Sequence, residues 1–100
     1  MYKERRELPC IIRQVVGDHF ENRVEIAPAE WRLREQVEAL EDWLRENRHQ
    51  LDPRSEWVAD IGFCVRRDAR GGGPPLTRDL MRMCLEVNLE IYLSEYPGYP

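Results

Sequence analysis

Residues 57–93 carry two hydrophobic periodicities separated by a break, and few folds accommodate that succession. If 57–66 is extended, Trp57, Ala59, Ile61, Phe63 and Val65 point one way, while Asp60 and Arg66 point the other. The break is Arg-Arg-Asp-Ala-Arg-Gly-Gly-Gly-Pro-Pro (66–75), a run that neither a helix nor a strand ladder tolerates. Order restarts at Leu76-Thr77. Thr77 is placed to cap a helix whose first turn holds Asp79, and Leu76 and Met81 are spaced as a hydrophobic staple. Leu80, Met83, Cys84 and Val87 form its inward face, and Asn88 suits a left-handed helix end. Leu89, Ile91 and Leu93 then alternate with Glu90 and Tyr92, which predicts a strand with one wet face. Strand, helix and strand in this order form a natural parallel pair.

Upstream, 8–16 is β-rich, with Pro9 near its start, where a strand tolerates proline. Its apolar residues come in pairs, Ile11-Ile12 and Val15-Val16, so either both faces are covered or a bulge resets the register. Gly17-Asp18 supplies a turn, and Val24 and Ile26 mark 23–27 as a second strand. Pro28 is expected to open a helix from Ala29. Leu33, Val37, Leu40 and Leu44 recur along it as one stripe. Glu30 with Arg34 and Glu41 with Arg45 are set to add about 0.2–0.5 kcal/mol each. Asp52-Pro53 ends it. The order β-β-α-β-α-β predicts an α+β two-layer sandwich, a four-stranded mixed sheet with two helices on one face.

The chain has 100 residues, the size of a single domain, with 42% hydrophobic and 34% charged residues. The leader 1–7 and the Pro/Tyr tail 94–100 read as flexible flanks, the tail unable to extend either element. A net charge of −4 argues against general nucleic-acid binding. The N-terminus is charged through 3–7 with no apolar run behind it, and no stretch approaches a membrane span. Three cysteines, odd in number and without CxxC spacing, argue against a disulfide framework. The expected setting is the cytoplasm, with neither membrane nor nucleic acid as partner.

Catalytic patterns are thin. The glycine loop could cradle an anion, with Arg66, Arg67 and Arg70 adding charge beside Gly72 and Gly73. It lacks the Lys-Ser/Thr of a nucleotide P-loop, so a solvated connection is the plainer reading. Cys64 beside Arg66, or Cys84, could be a nucleophile with His19 or His49 as base, but both thiols also read as core residues. His19-Phe20-Glu21 has the His-x-Glu of zinc deaminases without the Pro-Cys-x-x-Cys that must follow, so neither metal nor cofactor is expected. Asp60 interrupts an apolar strand. It is either wet or, if that face is covered, paired to Arg13 or Arg66. The aromatic residues point to binding. On a helix from 29, Trp31 falls opposite the Leu33–Leu44 stripe, and Tyr92, Tyr96 and Tyr99 follow along the last strand and tail. Trp31 either presents a docking ring or packs under the hairpin.

The alternating Trp57-Val-Ala-Asp-Ile-Gly-Phe-Cys-Val65, the loop Gly71-Gly72-Gly73, the helix start Leu-Thr-Arg-Asp-Leu (76–80) and Leu-Glu-Val-Asn-Leu-Glu-Ile-Tyr (85–92) also carry a likeness. This segment resembles the C-terminal half of small bacterial domains of unknown function, some of which occur among toxin–immunity systems. The N-terminal hairpin departs from that pattern. The resemblance implies a non-enzymatic cytoplasmic module and carries over no catalytic residue. The expected function is therefore protein interaction, with another chain or with itself as a homodimer; the alternative is a regulatory domain holding a small anion at loop 66–73.

Overall fold

In the computed structural model, residues 9–66 and 70–97 are described. The leader 1–7, Arg67 and Tyr99 lie outside the described residues. Val16 pairs with His19, so Gly17 and Asp18 alone turn the chain. Gly17 takes a φ of 61°, which glycine adopts freely and a tight hairpin requires. The two strands are β1 (Cys10–Val16) and β2 (His19–Glu25). β2 thus starts four residues earlier than expected, because nothing but the tight turn separates it from β1. A bulge is present as well: Ile12 faces Val24 and Arg13 faces Asn22, leaving Arg23 as the extra residue.

Pro28 does not open the first helix, a correction to the sequence reading. Ala27, at φ 48°, swings the chain aside, and the Cys64 N–H donates to the Trp31 carbonyl at 3.0 Å. Trp31 is thereby held beside the sheet, outside the helix, and Arg32 after it is extended. The Glu30 carboxylate accepts from the Arg32 N–H at 2.8 Å and from its guanidinium, and the expected pairing with Arg34 is absent. Helix α1 (Leu33–Asn47) begins only after this, burying Val37, Leu40 and Leu44. Arg45 does pair with Glu41, at 2.8 Å. At the far end Arg48 donates to the Leu44 and Arg45 carbonyls, closing off the last turn.

Strand β3 (Glu56–Cys64) and helix α2 (Arg78–Val87) follow. The Thr77 hydroxyl accepts from the Leu80 N–H at 3.0 Å and itself donates to Glu41, so one residue caps α2 and ties it to α1. Asn88 is left-handed (φ 63°, ψ 49°), with its N–H on the Cys84 and Leu85 carbonyls. Strand β4 (Leu89–Tyr96) then runs parallel to β3. It extends three residues past the predicted end at Leu93. The proline that breaks it is Pro97, and 94–96 still pair with 62–64.

The sheet order is β2-β1-β3-β4, with β1 antiparallel to both its neighbours. Cys10, Ile12, Trp57, Ala59, Ile61 and Leu89 form one core with Val37, Leu40 and Leu44 of α1 and Leu80, Met83, Cys84 and Val87 of α2. Both helices therefore cover the same face, the α+β sandwich expected. The inward alternation fades toward the end of the sheet. Phe63 is half-buried, Val65 lies beyond β3, and Leu93 is 53% exposed where the reading had it in the core. Leu93 belongs to an edge strand near the start of α2, so no element packs over it from the outer side among the described residues.

Candidate protein-binding surface

The face without helices is not simply wet. Ile11, Asp60 and Tyr92 lie in register across β1, β3 and β4, as do Arg13, Val58 and Glu90 one pair further on. Ile11 and Val58 are 1% and 3% exposed despite belonging to this face. Phe20 and Tyr92, from the two outermost strands, meet edge-to-face with ring centroids 6.4 Å apart. Trp31 and Tyr96 form a second such pair at 5.4 Å. Gly62 lies beneath the second pair, where an added Cβ would stand 3.0 Å from the Tyr96 ring and 3.6 Å from Trp31. Between the pairs, Arg13 meets Asp60 at 2.7 Å and the Ser94 hydroxyl donates to Asp60 at 2.6 Å. Asp60 is thus paired, with Arg13 of the two candidates.

Tyr92 and Tyr96 lie along the last strand, where the sequence reading set the rings of the last strand and tail, but Trp31 is placed differently, ahead of α1 and outside the helix. Trp31 is no outward helical residue; it packs on Tyr96 over a glycine, half-buried. Tyr92 keeps an exposed ring edge beside Phe20.

The exposed apolar surface lies elsewhere. Large apolar side chains left open include Leu76, Met81, Leu85, Tyr92 and Leu93, all in the α2–β4 unit, whereas β1, β2 and α1 contribute Phe20 alone. Their placement follows from how α2 meets α1. Thr77, Met83 and Glu86 reach α1 or the turn after it, through Glu41 and Arg48. At 100° per residue, Met81 and Leu85 project from the opposite flank of α2. That flank stands over the outer side of β4. Leu85 is 84% exposed, and Leu93 points up from β4 toward the same side. The outer backbone edge of β4 has no strand partner among the described residues. A free ladder edge and an apolar shelf thus run side by side. The sequence contained one clue: Met81 and Leu85 are four apart, off the Leu80–Val87 stripe.

Around the glycine loop, a groove of about 630 Å³ separates loop and α1 start. Leu33, Phe63 and Val65 supply its apolar wall, and Arg32, Arg34, Arg66 and the carboxylate of Glu35 its charge. Gly72 and Gly73 line it too, but their carbonyls face the Arg34 guanidinium, at 3.0 and 3.5 Å. Arg32 is engaged by Glu30. Arg34 and Arg66 are the groove guanidiniums without an ion-pair partner among the described residues, Arg34 being held by those carbonyls, and Arg70 lies outside the lining. Cys64 also lines the groove, with its thiol 3.5 Å from the Pro97 carbonyl. Burial pushes the Cys10 thiol up to about 12, helped by Asp60, and the Cys84 thiol up to about 11. Both are held as thiols at neutral pH. His19 sits on the hairpin beside Asp18 and Glu21, remote in sequence and strand order from Cys64. No group of three or more potential metal ligands comes together among the described residues, and none of their helices is long and apolar enough to cross a membrane.

Comparison of the chain with protein-family models, curated proteins and solved structures finds no match.

Proposed function

We propose that this chain is a small non-enzymatic interaction module that docks a protein along β4 and the outer flank of α2. The observation that carries this is the outer edge of β4, which has no strand partner among the described residues, lying beside exposed Met81, Leu85 and Leu93. An exposed edge gives main-chain hydrogen bonds to an added strand, and neighbouring apolar side chains give the affinity and the choice of partner. Tyr92, on the other side of the same strand, completes the rim. Three free cysteines fit a reducing, cytoplasmic setting. The resemblance of 57–93 to small bacterial domains of unknown function, some of which occur among toxin–immunity systems, fits a module that acts by occupying a partner's surface.

The test compares the native chain with Leu93→Lys as immobilised bait, alongside sedimentation of the free chain. Protein retained by the native chain, or self-association, that is lost with Leu93→Lys supports the reading. A strict monomer that retains nothing overturns it.

A second reading keeps the groove as a site for a small anion, favoured by the convergence of Arg34 and Arg66, neither with an ion-pair partner among the described residues, on an apolar wall. Inorganic phosphate and nucleotides at millimolar concentration should then raise the melting temperature of the native chain but not of Arg66→Ala. No shift at those concentrations removes it.

A further inference from the structure

We infer that the partner seated on β4 is a second copy of this chain, added antiparallel across a two-fold axis through Tyr92, so that two four-stranded sheets become one of eight. This rests on the docking reading above and names its occupant.

The inequality of the two sheet edges comes first. β2 carries the Arg23 bulge and a row of polar and charged side chains, His19, Glu21, Arg23 and Glu25, features that prevent strand addition. β4 is unbulged, in continuous register with β3, and carries only two charged side chains, Glu90 and Glu95. A β4-to-β2 contact between copies would repeat without closing and needs the blocked edge. A β4-to-β4 contact uses the open edge twice and closes at two.

Charge then selects the direction. The charged residues of β4, Glu90 and Glu95, have the same sign. Parallel, in-register pairing would stack each on its copy. An antiparallel ladder centred on Tyr92 instead sets Glu90 opposite Ser94 and Glu95 opposite Leu89. It also sets Leu93 opposite Ile91 twice, on the side where the two α2 shelves approach each other. A two-fold through Ile91 would put Tyr92 against Glu90, and one through Leu93 would put Ile91 against Glu95. The Tyr92 axis is the one of the three that gives matched apolar pairs without an apolar–carboxylate pair at its centre.

Size is adequate too. Eight residues span about 26 Å of ladder, and the contact is two layers deep, because Met81 and Leu85 stand above the strand. A strip of that length and depth belongs to the small interfaces, below about 1,200 Å² in total, that hold weak, concentration-dependent dimers.

The experiment is sedimentation velocity of the full chain from about 1 µM to 1 mM, with amide exchange of 89–96 read at both ends of the range. A dimer that does not grow further, with β4 amides gaining protection as it forms, is the expected result. In a Cys64→Ser background, Tyr92→Cys should cross-link two chains under mild oxidation, and Glu90→Cys and Ser94→Cys should not. Leu93→Lys should weaken the dimer about tenfold or more, since its ammonium would be trapped against Ile91. A monomer at every concentration overturns self-pairing, and so does a dimer whose β4 amides stay unprotected. If the monomer still retains a different protein that Leu93→Lys releases, the docking reading stands and only its occupant is wrong.

Discussion

β2 and β4 are the two edges of one sheet, similar in length, and differ in nearly everything else. β2 is tied to β1 by a two-residue turn, is bulged at Arg23, and exposes charge. β4 is separated from β3 by a loop and a helix, is continuous in register, and exposes Tyr92 and Leu93. The local hairpin needs little help from the helices: only Val24 and Ile26 from its β2 side reach the core. β4 is non-local and depends on α2, which brings Leu80, Met83, Cys84 and Val87 to hold it. The lesson is a division of labour. The edge that folds locally is blocked, and the edge held at greater cost in chain entropy is left open.

The sharpest break of that contrast is in the core. Leu80→Ala should cost about 2–5 kcal/mol, because a fully buried side chain at the root of α2 leaves a cavity under β4. Val24→Ala, half-buried under β2, should cost about 1 kcal/mol. Urea midpoints at equal m-value decide it. Equal losses would mean that the two edges are anchored alike.

Asp60 lies on the seam between the halves, joined to Arg13 of β1 and Ser94 of β4. Asp60→Ala removes both bonds and leaves a largely covered guanidinium on the helix-free face, a loss of about 1–3 kcal/mol. Asp52→Ala, whose partner Arg54 is an exposed neighbour, should stay below about 1 kcal/mol. Amide exchange adds a direction. If Asp60 couples the halves, its removal speeds opening of β4 more than of the β1–β2 hairpin.

How much of this was legible follows the range of the interactions involved. The α2 caps, the two-residue turn and the 57–61 alternation rest on neighbours in sequence, and Thr77, Asn88 and Gly17 do what their residue types suggest. The start of α1 was misplaced because a long-range bond, Cys64 to Trp31, holds the chain extended where Pro28 and the helical wheel allow a helix. The same bond explains why Trp31 meets Tyr96 instead of facing outward. The Pro/Tyr composition of 94–100 hides the end of β4, because only Pro97 breaks the ladder and 94–96 still pair with 62–64. Leu85 could be placed off the buried stripe from spacing alone, but an exposed leucine is ordinary. It acquires meaning from the free edge beneath it, and that depends on strand order, which no local pattern carries.

The smallest expected effect tests the open edge most cleanly. Leu85 is 84% exposed and takes no part in the core, so Leu85→Ser should change the stability of the dilute chain by only about 0.5 kcal/mol. Association stabilises the folded chain by mass action, so the native denaturation midpoint should climb with protein concentration. Leu85→Ser should climb less while coinciding with the native chain at the dilute end. A loss above about 1 kcal/mol in dilute solution would show that Leu85 supports α2 itself. The shelf beside β4 would then be part of the fold's own packing, and the contrast between a closed edge and an edge kept open for a partner would lose its apolar half.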